Sequence, residues 1–589
     1  MYLSIIILPL LGSLVSGLLG RKVGVTGSHF ITCTCLILSS LLMTVAFYEV
    51  GLSGSPVHIN LGSWINSELM SISWEFYYDQ LTVSLGLAVL YCSSLIHIYS
   101  IDYLSSDPHN QRFFSYLSAF TAGMLVLICG GNYFVMFVGW EAIGVVSYLL
   151  INYYFTRIQA NKAAMLAFTM NRGGDMLMSI GFFAIFAIFG SLNYSVIFSL
   201  VPYINETAIS IVALLLLGGA LAKSANIPLH SWLPGSMEAF MAIGLSQYNV
   251  AIMHTVNHAF FKALLFLGAG AVIHSFADQQ DVRRMGGLIK FLPFTYSVML
   301  VGSLSLLATP YLTGFYSKDL ILELAYGQYS FSGMYAFILG SITAGITAFY
   351  SFRLISLVFL TTPNGKKHSY LNSHESNLTV IIPLLTLALF SIFFGYIFSD
   401  LFVGIGSDFF GNSLFIHPNN ISLIEAEFSI NPLIKLLPAI LSLTGATLAI
   451  LLYNKSPEFI IGLTETSIGR KIYSFLNGKY YFDVIYNHFI VSAGLKLGYT
   501  ISKQIDRGAI ELLGPYGLAK TFTNTGINIA KLDTGIITTY SLYITISLLS
   551  LLFLVFAPVL IDTSMISEIR LIIIYFASLI LVLSPSKIL

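Results

Sequence analysis

The chain has 589 residues, of which 56% are hydrophobic and 9% charged; Lys plus Arg and Asp plus Glu balance at 27 each, and mean hydropathy is +0.83. A soluble globule carries about 25% charged residues, so this composition excludes one. The zero net charge and the lack of a basic arm or tract leave a nucleic-acid partner without footing.

At roughly 20 residues per span, about fourteen helices are predicted, an all-α polytopic transmembrane bundle. Helices are preferred to a barrel because the apolar runs are long and continuous, where barrel strands would alternate over about ten residues. In chain order the spans fall near 3–19, 29–49, 80–100, 113–130, 132–155, 163–190 and 208–225. They continue near 241–274, 292–309, 330–360, 378–399, 434–453, 536–560 and 570–586. The first run meets Arg21 and Lys22 at once rather than a small-residue cleavage site, so it is expected to stay as a helix. Cys33, Cys35, Cys92 and Cys129 lie in apolar spans without the spacing of a zinc or iron-sulfur ligand set and are expected to pack. No Gly-rich dinucleotide loop or Walker loop is present, so neither NADH binding nor ATP hydrolysis is expected of this chain, and no cofactor or metal. At this charge density the Lys and Arg asymmetry between loops is weak and assigns no membrane side.

Charged and titratable residues inside these spans are expensive in lipid and therefore mark function, above all the movement of charge. Glu141 lies in FVMFVGWEAIGVVSYLL beside Gly139 and Gly144, small residues that let a neighbouring helix approach. Arg172 and Asp175, in FTMNRGGDMLMSIGFF, are three apart on one helix face and can neutralise one another or serve a neighbouring subunit; a structural and a transport role stand equally open. Lys223 occurs in LLLLGGALAKSANIPLHSWLP, with His230 shortly after it, and Pro228 predicts a broken helix whose freed carbonyls hold water or the ammonium. A Glu141–Lys223 pair would act as a switch, withdrawal of the glutamate favouring proton release; the alternative is a static ion pair holding two helices. His254, His258 and Lys262, in MHTVNHAFFKALLFLGAG, recur every four residues and stack as a stripe about 12 Å long, a ladder for protons. Its alternative is two structural histidines and a lysine reaching an interface. Lys318 and Asp319, in ATPYLTGFYSKDLILEL, follow Pro310 and Gly314, a second interrupted helix, and point about 100° apart toward different partners. Two interrupted helices that each bear a lysine are the layout of a transporter built from inverted repeats.

Charges return between about 485 and 533: Lys496, Lys503, Asp506, Arg507, Glu511, Lys520, Lys531 and Asp533. Lys496, Lys503 and Arg507 cluster on one helix side with Ile501, Ile505 and Leu512 nearly opposite, which reads as an amphipathic helix along the membrane surface, the alternative being an interfacial loop. Pro515 with Gly508, Gly514 and Gly517 predicts an interruption.

The runs GWEAIGVVSYLLI, NRGGD, ALAKSANIPLHSWLPGSMEA, HTVNHAFFKALLFL and YLTGFYSKDLILE resemble the subunit-five family of respiratory complex I (NADH:ubiquinone oxidoreductase), in its fungal mitochondrial form, and the related large subunit of Mrp-type sodium/proton antiporters. The motifs cover roughly 60–360, and GKYYFDVIYN and AKLDTGIITTY extend the likeness into the tail. The resemblance implies a proton-translocating membrane-arm subunit of the mitochondrial inner membrane, with flavin, iron-sulfur clusters and ubiquinone handled by other subunits. It implies that Glu141 and Lys223 are the family's charged pair, that Lys262 is its central lysine with His254 and His258 as relay, and that Lys318 lies on the outlet side. Arg172, Asp175, Asp319 and His230 support them. The lateral helix implies partners in neighbouring antiporter-like subunits, with lipid around. Five regions follow: 1–112, N-terminal helices; 113–362, the translocating core; 363–484, C-terminal helices and loops; 485–533, the lateral helix; 534–589, an anchor and tail. An Mrp-like antiporter subunit and a non-pumping structural end-cap are the alternatives.

One departure stands out. In the family the SMEA motif continues through a Pro-Thr-Pro-Val-Ser stretch and further helices, whereas here Glu238 and Ala239 run directly into FMAIGLSQYNVAI. A segment worth two helices or more, at about 20 residues each, is missing near 239–240, most simply a skipped exon or a gap in the sequence. A true deletion of an odd number of spans would invert everything downstream.

Overall fold

The computed structural model describes residues 1–68, 70–226, 229–230, 238–416, 420–560 and 573. Up to Asn477 the chain forms one unit and from Gly478 onward a second.

The first unit opens with α1 (Tyr2–Leu18) and α2 (Gly20–Ala46), the latter extended by a π-helical turn, Phe47–Leu52. A β-hairpin follows, β1 (Val57–Ser67) and β2 (Met70–Tyr78), which corrects the all-α expectation. Its cause is legible afterwards: Ile72, Phe76 and Tyr78 alternate along β2 and are buried, the period of a strand with one face covered. Next come α3 (Gln80–Tyr103), α4 (Asn110–Cys129), α5 (Tyr133–Ile151), α6 (Ile158–Phe189), α7 (Tyr194–Leu200) and α8 (Glu206–Lys223). Asp79 and Asn132 cap α3 and α5 by accepting from the backbone N–H groups of Thr82 and Val135.

The expected span 241–274 is two elements, α9 (Glu238–Gly244) and α10 (Tyr248–Ser275), because Ser246 takes a left-handed conformation between them. Then come α11 (Pro293–Leu306), α12 (Phe315–Gly327), α13 (Phe331–Ile355) with a π-helical end at Ser356–Leu360, α14 (Lys367–Leu371), α15 (Leu378–Val403), α16 (Leu423–Phe428) and α17 (Pro432–Asn454). Short helices Pro457–Glu465 and Ser467–Asn477 close the unit.

Ten described helices are long and apolar enough to cross a membrane, and Tyr2–Leu18, Tyr194–Tyr203, Pro293–Leu306 and Ile537–Leu552 are shorter apolar segments. The expected span 570–586 lies outside the described residues apart from Ile573. Small residues hold neighbours close, as expected without a hydrophobic force between helices in lipid: Gly174 of α6 meets Gly218, Gly219 and Ala222 of α8, and Gly345 of α13 faces Gly445 of α17. The largest core gathers on α10, where Phe260 packs between Phe390 and Phe394 of α15 at 5.0 and 4.8 Å. Cys33, Cys92 and Cys129 are buried thiols and Cys35 is half-buried; all four are free.

The helix ends fall on two levels. At one, Tyr2 donates to Glu49 and Tyr78 to the Tyr2 carbonyl; Phe76 bridges to Gly130, Asn132 to Asn193, and Ser413 donates to Gln80. At the other, Tyr103 stacks near His274, Asn377 donates to Asp102, and Arg112 donates to the Tyr153 carbonyl. The first level carries Glu49, Glu68, Glu75, Asp79, Glu206, Asp400, Asp408, Glu425 and Glu427, with Lys435 the one Lys or Arg there among the described residues of this unit. The second carries Arg21, Lys22, Arg112, Arg157, Lys162, Arg283, Arg284, Lys290, Arg353, Lys366 and Lys367, outnumbering Asp102, Asp107, Asp278, Asp281 and Glu375. The asymmetry that the linear sequence left weak is therefore strong once the loops are sorted by level. Basic residues before and after the 239–240 junction share one level.

In the second unit Phe482–Ile485, Tyr486–Val491, Ser492–Thr500, Ile501–Ile510 and Glu511–Leu513 follow end to end as one helical run, with π-helical geometry at Tyr486–Val491 and Ile501–Ile510. It breaks at Gly514 (φ −94°, ψ −136°) and resumes at Pro515–Ala530. Proline at the first helical position has no N–H to waste, so the predicted interruption falls there and not at Gly508. Ile537–Leu560 is the apolar helix that ends the described chain, Ile573 apart.

Candidate functional site

Two polar centres sit at mid-depth. In the first, Ala222 of α8 meets Gly174, halfway along the 32-residue α6, so Lys223 reaches the middle of the layer as α8 ends. Its Nζ donates to the backbone carbonyl of Trp140 at 3.1 Å and lies 5.3 Å from the Trp140 ring centre, a cation–π contact. Gly144 faces the ammonium: a Cβ there would stand 2.7 Å from Nζ. This glycine makes room for a charge, whereas Gly139, backed by Leu127 and Gly123 of α4, serves the helix approach expected of both.

Arg172 is the ion-pair partner of Glu141, and Trp140 Nε1 donates to Asp175 Oδ1 at 2.6 Å. Two expectations are corrected here. Glu141 does not pair directly with Lys223, and Arg172 and Asp175 do not neutralise each other, because both reach across to α5. Side chains three apart on α6 share a face, and α5 covers that face. Glu141 and Asp175 remain the acidic groups whose fields reach Lys223. Asp175 is buried, yet the Arg172 side chain is 52% exposed, so this charge opens on the outside of the bundle at membrane depth. After Lys223 the helix stops, Ala225 taking φ +50°. Pro228 lies outside the described residues; His230 is half-buried and non-helical.

The second centre lies between α10 and the α11–α12 break. α11 ends at Leu306, Ala308 and Tyr311 adopt φ +62° and +69°, and α12 starts at Phe315, so the predicted interruption before Lys318 is present. Lys318, 3% exposed, donates to the Leu306 carbonyl at 3.4 Å, the negative end of α11. Thr313 ties the break to α15: its N–H donates to the Ser391 carbonyl at 3.2 Å and its hydroxyl to the Phe390 carbonyl at 2.8 Å. From the other side Asn257 of α10 donates to the Thr313 carbonyl at 3.2 Å.

His254, 1% exposed, places Nδ1 3.1 Å from the Ser317 hydroxyl, one residue before Lys318. The His254 and His258 rings are 5.9 Å apart, and Lys262 continues that face, half-buried. Asp319 shares its surroundings with Lys318 and Glu323; Glu323 pairs with Lys435 at 3.5 Å. Sequence reasoning missed Asn257, Thr313 and Ser317; each lies within or beside a motif already singled out, which was the available signal. It also missed His97 of α3, fully buried with Nδ1 2.8 Å from the Ser93 carbonyl and Nε2 3.0 Å from the Ser118 hydroxyl. The carbonyl accepts only, so Nδ1 carries the hydrogen and Nε2 accepts from Ser118, joining α3 to α4.

A family described as NADH:quinone oxidoreductase/Mrp antiporter, TM, matches residues 130–245 and 238–347; complex I chain 5 N-terminus matches 64–114, and NADH dehydrogenase subunit 5 C-terminus matches 350–410 and 413–556. The chain is 56% identical to NADH-ubiquinone oxidoreductase chain 5 of Schizophyllum commune, over 98% of both chains, and 54% identical to that of Cryptococcus neoformans var. grubii, over 100% of both. The latter alignment runs to 664 positions against 589 residues here, a difference of 75, and the two antiporter-family matches meet at 238–245. In fold the chain is similar to the Mrp complex from Dietzia sp. DQ12-45-1b (TM-score 0.64, 15% identity, 90% of this chain and 62% of that one). It is also similar to the archaeal membrane-bound sulfane sulfur reductase (TM-score 0.58, 19% identity, 70% and 99%).

Proposed function

The chain belongs to the NADH-ubiquinone oxidoreductase chain 5 family, and from that premise we propose that protons move through it by way of Lys223, the His254–His258–Lys262 stripe and Lys318. It is a multi-pass membrane-arm subunit of complex I, a proton-pumping part of the enzyme that oxidises NADH with ubiquinone. The seat of Lys318 carries the proposal: an ammonium on the carbonyl end of a broken helix, one residue from the serine that touches a relay histidine. Such a cation can be held when protonated and released when the carbonyl is hydrated instead.

At the first centre Arg172 and Lys223 compete for Glu141. When Glu141 leans to Arg172, as in this arrangement, Lys223 has no direct ion pair and keeps the Trp140 carbonyl within the fields of Asp175 and Glu141, which favours giving up its proton relative to a direct pair; when Glu141 swings to Lys223, the proton is retained. Asp175 and Asp319 are assigned supporting roles at the two centres, and His230, seven residues beyond Lys223, is assigned one after the α8 end.

The exposed edge of Arg172 supports a neighbouring membrane-arm subunit docked against α5 and α6, since a guanidinium facing lipid at this depth would be costly. The helical run between 482 and 530, with its break at Gly514, supports a lateral contact with further antiporter-like subunits. The basic level is assigned to the matrix face of the mitochondrial inner membrane by the positive-inside rule. The longer alignment and the meeting of the two antiporter-family matches at 238–245 support a missing segment of two helices or more near 239–240. Intact mass of the subunit from the isolated complex tests this: 64.7 kDa retains the reading, and a chain longer by some 75 residues removes it.

The test of function is the number of protons moved per NADH by the complex in sealed vesicles. Lys223→Met and Lys318→Met should each lower it in a fully assembled complex. Full assembly with an undiminished ratio would leave the structural end-cap reading instead.

A further inference from the structure

At the basic level two loops enclose a cavity of about 530 Å³, lined by Arg284, Lys366 and His368 together with Gln279, Asn364 and Gly365. The loops are stapled. The Tyr370 hydroxyl donates to the Gly286 carbonyl at 2.8 Å and accepts from the Gly365 N–H at 3.3 Å, and the Asn364 N–H donates to the Met285 carbonyl at 3.0 Å. The Tyr370 ring is wedged between Phe276 and Phe291 at 4.9 and 5.7 Å. Gly286 and Gly287, at φ +119° and +66°, make the turn that a Cβ would obstruct. The cavity is therefore preformed.

Among the described residues its charges hold no direct ion pair, although the field of Arg284 reaches Asp281. Asp281, the nearby acid, is taken up by Arg283 through both carboxylate oxygens at 2.9 Å, while Arg284 and Lys366 form no ion pair among the described residues. Arginine and lysine converging with amide and backbone donors is the donor set for a phosphate group. Depth decides the source: the cavity lies where α10 ends at Ser275, α11 begins at Pro293 and the π-helical end of α13 stops at Leu360, the level of lipid headgroups. We propose that the Arg284–Lys366–His368 cavity binds the phosphate of an anionic phospholipid headgroup, anchoring to each other the 276–290 loop, which joins α10 to α11, and the 361–371 loop that follows α13.

The experiment uses the intact complex, delipidated and titrated with spin-labelled phosphatidylglycerol. Arg284→Gln and Lys366→Gln should each weaken the tightest class of bound lipid by about tenfold, and the double variant by more. Lys162→Gln, on the same level outside the cavity, should leave it unchanged. All three positions are exposed, and native gels check assembly. Millimolar inorganic phosphate is the second arm: displacement of the lipid by phosphate at matched concentration assigns the site to the free anion, and resistance to it assigns the lipid. Equal binding by the wild type and the double variant, or equal retention of phosphatidylcholine, overturns the proposal.

Discussion

Lys318 points its ammonium at the carbonyl of Leu306, twelve residues earlier, across a stretch in which the chain leaves the helix and re-enters it. The pair joins the end of one half-helix to the first turn of the next. Replacing Lys318 by Met removes the proton carrier, and replacing it by Arg keeps the charge but removes the release, because a guanidinium does not deprotonate in proteins. Both variants should assemble, and both should slow proton transfer through this subunit on the order of a hundredfold, the range for losing a positioned proton-transfer group. Restoration of pumping by Arg would show that the charge alone matters.

Gly144 should tolerate little. A Cβ there stands 2.7 Å from Lys223 Nζ, so Gly144→Ala pushes the ammonium aside and Gly144→Val displaces it. The hydrogen bond to Trp140 that is lost is of the charged kind, worth about 1.5–3 kcal/mol. The expected result is a graded fall in pumping, Val below Ala below wild type, with complex yield unchanged. Equal activity in all three would mean that Lys223 does not act from this seat.

The Glu141–Arg172 pair reports its own surroundings. With side chains 27% and 52% exposed in the isolated chain, a pair in water would show a coupling below about 1 kcal/mol. Covered by a neighbour, the same pair should cost about 3 kcal/mol or more to break from one side. A double-mutant cycle of Glu141→Gln and Arg172→Met on pumping rate in the assembled complex should give the larger value. A value near zero would place the pair in contact with solvent and remove the docked neighbour.

Glu375 caps α11 from a distant loop: its carboxylate accepts from the Phe294 and Thr295 N–H groups at 2.8 and 3.2 Å and from the Thr295 hydroxyl at 2.7 Å. Glu375→Ala should cost about 1–2 kcal/mol locally, in line with the loss of a good cap. Amide exchange at 294–297 should then quicken by about tenfold while the rest of the bundle is unchanged.

Much of this was legible in the sequence because lipid leaves few reasons for a charge. The four-residue spacing of His254, His258 and Lys262 requires one helix face, and Pro310 with Gly314 announces the break ahead of Lys318. What stayed hidden depends on which helix lies beside which. Glu141 takes Arg172 because α6 covers α5 at that height, a fact no local spacing carries. Gly144 looked like a packing residue because a glycine beside a helix and a glycine beside an ammonium read alike. The hairpin at 57–78 escaped because its alternation is short and lies between long apolar runs. Membrane sidedness escaped because basic residues such as Arg157 and Lys366 are far apart in the chain and gather only when the loops are sorted by level.

That segregation bears on how the polypeptide enters its membrane. On the orientation proposed above, the segments that must be carried through the bilayer hold Glu49, Glu68, Glu75, Asp79 and their like, with almost no cation among them. An energised membrane, negative within, works on each such charge at about 2.3 kcal/mol per 100 mV and drives it outward. Lys22, Arg157, Arg284 and Lys366 are held back by the same field. The voltage that the finished enzyme helps to sustain would thus assist the threading of its own newly made helices.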